Sequence, residues 1–73
     1  MNEETVLRRL GKRVKRGRLF LKLSQQQLGL VCGITTDYIS KIENGKVNPT
    51  IRTLNKIVKD LKIRVADLFG DIS

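Results

Sequence analysis

The sequence predicts an all-α domain of four or five helices. Apolar residues return every three or four positions in successive segments, and no segment alternates with the period of two that marks a half-buried strand. Helix-capping residues and glycines bracket two of the periodic runs.

Val6, Leu7, Leu10, Val14 and Leu21 place the first helix from about Glu3 to Leu21. Glu3 and Glu4 occupy its first turn, where carboxylates complement the helix dipole. Gly11 and Gly17 lie inside it, each weakening it by about 1 kcal/mol relative to Ala. Their presence points to a close neighbouring helix or a slight bend. Ser24-Gln25-Gln26-Gln27 fits a capping box, in which Ser24 accepts from the Gln27 amide and the Gln27 side chain reaches back. The second helix then runs from Gln25 to about Cys32 and stops at Gly33. Thr35 caps a third helix, Thr36 to Asn44, with Gly45 just beyond it. Asn48-Pro49-Thr50 restarts the chain, Pro being favoured in a first turn. Ile51, Leu54, Ile57, Val58 and Leu61 give the fourth helix its apolar stripe. Arg64 to Phe69 reads as a short fifth helix closed at Gly70.

A chain of 73 residues holds one small domain, residues 1–73, and leaves no room for a second core. With no His and a single Cys, it offers no His-dependent triad, no His-containing zinc site and no internal disulfide. No enzyme, cofactor or metal site is expected. No apolar run approaches the roughly 18 residues of a membrane span, and polar Asn2, Glu3 and Glu4 stand where a secretory segment would begin. A soluble, cytoplasmic protein is expected.

The net charge of +8 is unevenly spread. Residues 1–36 carry eight basic and two acidic residues, residues 37–73 seven and five, and no acid lies between Thr5 and Thr36. Arg8, Arg9, Lys12, Arg13, Lys15 and Arg16 crowd into nine positions. Such a field attracts a polyanion, nucleic acid foremost, although a solvated face that keeps a small protein soluble has the same composition. A membrane-surface helix fits less well, because no Trp anchors the run.

Two short helices separated by about three residues, with Gly33 in the turn, form the helix-turn-helix arrangement, whose second helix enters the DNA major groove. Counting from Gln25, Gly29 is the fifth position, where the helices cross and only a small side chain fits. Gly33 is the ninth, where a residue that tolerates positive φ lets the chain reverse. Leu28, Cys32, Ile34, Ile39 and Ile42 supply the apolar positions that lock the pair onto the rest, so Cys32 reads as core.

Leu23-Ser24-Gln25 through Lys41-Ile42-Glu43-Asn44-Gly45-Lys46, followed by Asn48-Pro49-Thr50 and Asp67-Leu68-Phe69, resembles the Cro/CI-type, or XRE, helix-turn-helix regulators. The resemblance covers about residues 10–69. It implies the lambda-repressor-like five-helix domain of bacterial and phage proteins that bind operator DNA as homodimers. By position it implies base reading for Thr36, Asp37 and Lys41 and backbone contact for Gln25, Asn44 and Lys46. It also implies a partly buried ion pair between Arg18 and Glu43, against the alternative of two unpaired surface charges. Three departures stand out. Gly29 replaces the usual Ala, harmlessly for the crossing; Lys22 stands where Gly often ends the first helix and would have to turn left-handed; Arg64 replaces the Ser or Thr that commonly caps the fifth helix.

Lys41 can donate to O6 and N7 of guanine or simply hold a phosphate. Asp37 can accept from N4 of cytosine or stabilise the helix dipole, and Thr36 offers a methyl to thymine or a hydroxyl to phosphate. Gln25, Gln26 and Thr35 lie at helix starts, natural phosphate sites, and Tyr38 and Ser40 suit the backbone better than bases. One small domain reads too few base pairs for a unique site, so a homodimer is expected. Ile51, Ile63, Val65, Phe69 and Ile72 are its candidate seam, with Phe20 a weaker one; a monomer whose fifth helix merely closes the core is the alternative.

The expected function is sequence-specific regulation of transcription from a pseudo-palindromic operator. Controller proteins of restriction–modification operons are similar in length and in Asp37-Tyr38-Ile39-Ser40. An antitoxin-type interaction module would need a sizeable apolar patch outside the seam. An RNA-binding domain would need aromatic stacking platforms that are missing here.

Overall fold

The computed structural model describes residues 2–64. It contains four helices in the order α1 (Glu3–Phe20), α2 (Gln25–Cys32), α3 (Thr36–Glu43) and α4 (Ile51–Leu61), and no strand among the described residues. The all-α reading holds. The expected fifth helix lies, from residue 65 on, outside the described residues, as do Val65, Phe69 and Ile72; Arg64 itself is not helical.

Each helix begins the same way. Asn2, Ser24, Thr35 and Thr50 are the N-caps, each with an extended backbone and a side-chain oxygen accepting an amide hydrogen bond from three residues on. Ser24 completes the expected capping box with Gln27. Pro49 does not sit in the first turn of α4, as the sequence suggested. Thr50 provides the acceptor for the Thr53 amide at 3.1 Å, so the helix starts one residue later and Pro49 lies buried before the cap. Leu23, Ile34 and Pro49 precede their caps, and Leu28, Ile39 and Leu54 follow five residues later, all of them buried or half-buried. These are the positions of the hydrophobic staple, which fixes the angle at which the chain enters each helix.

The helices also end alike. Lys22, Gly33, Gly45 and Lys62 all have φ between 59° and 69°. The amide after each bonds back to a carbonyl five residues earlier: Leu23 to Arg18, Ile34 to Gly29, Lys46 to Lys41 and Ile63 to Val58. This is the Schellman closure, usually reserved for glycine. Lys22 takes the left-handed conformation expected of it; Lys62 does the same without any warning from its residue type.

Leu10, Val14, Leu28, Cys32, Ile39, Ile42, Leu54, Ile57, Val58 and Leu61 form one core at the junction of all four helices. Gly11 lets α1 lie directly on the end of α3, where an added Cβ would stand 2.4 Å from the Ile42 oxygen and 2.6 Å from that of Glu43. Gly29 is tighter than expected. A Cβ there would lie 2.5 Å from the Ile34 carbonyl oxygen, so even the family's usual Ala requires the turn to shift.

Candidate nucleic-acid interface

The two eight-residue helices α2 and α3 join through Gly33, Ile34 and Thr35. Buried Ile39, Ile42 and Glu43 hold α3 from inside, which leaves Thr36, Asp37 and Lys41 exposed on its outer side. Lys41 Nζ lies 3.1 Å from Asp37 Oδ2, one helical turn away. Two of the three expected base readers therefore neutralise one another on the free surface. Thr35 Oγ1 accepts from the Tyr38 amide at 3.1 Å, and Tyr38 itself is half-buried against the core. Asn44 Nδ2 donates to the Ser40 carbonyl at 2.9 Å and lies 3.4 Å from its hydroxyl, which fixes the amide over the last turn. Lys46 follows Gly45 and is exposed, as is Gln26 at the start of α2.

Beneath this surface lies a charged hub. Arg18 Nε donates to Glu43 Oε2 at 2.7 Å and Arg18 Nη2 to Glu43 Oε1 at 3.0 Å, both side chains being less than 10% exposed. Arg18 Nη1 donates to the Leu23 carbonyl at 2.7 Å, and Gln25 Nε2 donates to Glu43 Oε1 at 3.1 Å. Bidentate pairing and the added bonds answer the desolvation of both charges. No buried side-chain nitrogen or oxygen is left without a partner among the described residues. One network thus ties together α1, the turn after it, the first residue of α2 and the last of α3. Gln25, expected on a phosphate, is half-buried with its amide nitrogen engaged by this hub, an engagement that the motif spacing did not reveal.

The candidate seam residues part company. Ile51 is 62% exposed, whereas Ile63, expected to be free of the core, packs against it. Ile63 also borders an open cleft of about 380 Å³ between the C-terminal ends of α1 and α4, together with Phe20, Leu21, Leu61, Arg13 and Arg16. Phe20 is 84% exposed. Leu30 and Val31, which the sequence did not single out, are exposed on α2; the only signal was that neither sits on the face shared by Leu28 and Cys32. Cys32 is buried in the core with its Sγ donating to the Lys56 carbonyl at 4.0 Å, and its thiol is pushed up from 9.0 to about 12, first by burial and then by the nearby Asp60 carboxylate, with the Lys56 charge opposing. No described helix is long and apolar enough to cross a membrane.

The helix-turn-helix family model HTH_3 matches residues 14–68. The transcriptional regulator PuuR of Escherichia coli is 36% identical over 61 residues, spanning 84% of this chain but only 33% of PuuR. The control protein C.MunI of a Mycoplasma species is 40% identical over 50 residues, 68% of each chain. The restriction–modification controller C.Esp1396I, solved as a tetramer on its natural 35-base-pair operator, superposes with a TM-score of 0.79 at 28% identity. That match covers 92% of this chain and 88% of the controller's. Capped α2 and α3, the left-handed Gly33 between them and the outward polar side of α3 agree with these likenesses: the chain belongs to the HTH_3, XRE-type family of helix-turn-helix DNA-binding transcriptional regulators.

Proposed function

We propose that this protein binds a pseudo-palindromic operator in double-stranded DNA as a homodimer, with α3 in the major groove. Thr36, Asp37 and Lys41 face base edges, and Gln25, Gln26, Thr35, Tyr38, Ser40, Asn44 and Lys46 hold the sugar–phosphate backbone. The observation that carries this reading is the division of α3, with its apolar side and Glu43 locked inside and its polar side projecting into solvent. A rigid helix with a free polar side is what groove readout requires. Ile51 belongs to the dimer seam, joined by Ile63 at the edge of the cleft and by Val65, Phe69 and Ile72 beyond the described residues.

A controller of a restriction–modification operon, acting on its own promoter, is the narrower form of this proposal. It draws support from C.MunI, matched over twice the fraction of its length that PuuR is. Selection of bound sequences from random duplex DNA at two salt concentrations tests the proposal. The expected product is a pseudo-palindrome with half-sites about one helical turn apart. Recovery of no preferred sequence, with binding abolished at moderate salt, would reduce the surface to a generic polycation.

A further inference from the structure

The helix-turn-helix carries almost no charge of its own. Residues 24–44 hold one cation, Lys41, and two carboxylates, Asp37 and Glu43. Lys41 is paired with Asp37 on the surface, and Glu43 is paired with Arg18 inside. Affinity for a duplex comes largely from cations that displace counterions from its phosphates. The unit that faces the groove therefore has to draw positive charge from a neighbouring element.

That neighbour is α1. Gly11 rests on the Ile42 and Glu43 carbonyls at the end of α3, and a Cβ on Gly45, just past α3, would stand 3.0 Å from the Arg8 Cα. Asn48 Nδ2 donates to Glu3 Oε1 at 3.2 Å, which fastens the chain after α3 to the first turn of α1 as well. Lys15 follows Gly11 by one helical turn and stands three residues before Arg18, the cation of the buried hub; Lys12 follows Arg8 by one turn. Both lysines are exposed, and no described carboxylate pairs with either. Arg8 itself is occupied by Glu4. Lys12 and Lys15 thus border the surface made by α3, Asn44 and Lys46, whereas Arg16 borders the cleft beside α4.

We infer that Lys12 and Lys15 hold the phosphate backbone next to the stretch of duplex that α3 reads. The inference rests on the proposed binding of DNA through α3 and extends that interface to a helix outside the motif. A lysine ammonium is a compact charge on a flexible stem, suited to a phosphate and indifferent to the base beside it. Labour is divided accordingly. α1 supplies affinity shared by all sequences, and the nearly neutral α3 supplies the choice among them.

The test measures binding of the full chain to a duplex carrying the selected operator and to an unrelated duplex, each across a range of salt. Lys12→Gln/Lys15→Gln changes only exposed side chains and keeps good helix formers; melting temperatures are compared alongside. Arg16→Gln/Lys59→Gln removes the same charge from the cleft edge of α1 and the last turn of α4. The expected result is a loss of at least tenfold at low salt for the first variant, equal on both duplexes. The slope of log affinity against log salt should fall by about 2 for each bound protomer. The matched variant should stay within twofold of the parent. Unchanged affinity and slope in the first variant would overturn the inference, and so would an equal loss in the matched one, which would make the effect one of net charge alone. A loss confined to the operator duplex would assign the lysines to sequence choice and overturn it too. A parent with no preferred sequence would remove the operator reading, while the slope on the unrelated duplex would still decide whether the two lysines hold phosphate.

Discussion

Glu43 accepts from three nitrogens, two on Arg18 and one on Gln25, and is nearly inaccessible to water. Glu43→Ala strands a buried guanidinium and is expected to destabilise the fold by about 3 kcal/mol or more, read by thermal or urea unfolding. An unchanged melt would mean that the pair contributes nothing. Asp37 has a different task, holding Lys41 on the free surface at 3.1 Å. Removing it releases the cation. Asp37→Ala is expected to raise affinity for random duplex DNA and to steepen the log–log salt dependence by about 1, while preference for the operator falls. An unaltered slope would mean that the two side chains do not compete with phosphate. Cys32 sets an alkaline limit. Its folded thiol titrates near 12 and the unfolded one near 9.0, so between those values the unfolded chain is the one that has lost the proton. Stability present below pH 9 is expected to decline as pH rises toward 12, and less so in Cys32→Val, as judged by urea midpoints at pH 8 and pH 10.5. Parallel declines would remove the thiol from the account. The Asp37–Lys41 pair is latent in its i, i+4 spacing, but sequence alone weighs a contact with DNA no differently from one with a neighbour.

At the level of the helices, starts were more legible than ends. A cap is chemistry within four residues, so Ser24 and Thr35 announce α2 and α3; Pro49 drew the start of α4 forward because its preference for a first turn is only statistical. A left-handed lysine carries no such mark. Lys22 was foreseen because a glycine is usual there, whereas nothing distinguishes Lys62 from a solvated residue. Because a non-glycine residue in this conformation costs roughly 1–2 kcal/mol, Lys22→Gly and Lys62→Gly are each expected to raise stability, by about 1 kcal/mol at most after the entropy of glycine is counted. A lower unfolding midpoint in either would show that its aliphatic stem packs usefully. The two glycines inside α1 make a paired prediction. Gly17→Ala meets only the tip of Leu61, at 3.2 Å, and should gain helix propensity, whereas Gly11→Ala meets two backbone carbonyls and should cost about 1–3 kcal/mol. Equal effects would contradict the close seating of α1 on α3. Sequence showed that both glycines were unusual; which of them touched backbone depended on packing between segments thirty residues apart.

For the molecule as a whole, a net charge of +8 on so small a body means self-repulsion. Among the described residues, the Arg18–Glu43 pair is buried, while the exposed Glu4–Arg8 and Asp37–Lys41 pairs are of the kind that contributes little. Added salt is therefore expected to stabilise the free protein. Its melting temperature should rise between 20 and 500 mM NaCl, by about 2–5 °C if screening relieves about 0.5–1 kcal/mol; a fall would mean that surface pairs outweigh repulsion. The two-faced build of α3 has an evolutionary side as well. Thr36, Asp37 and Lys41 take no part in the core and lie outside the Arg18 hub, so they can vary without a compensating change inside. On the proposed base reading by these three residues, a lineage carrying this scaffold can drift from one DNA address to another through a handful of surface substitutions, each intermediate remaining folded.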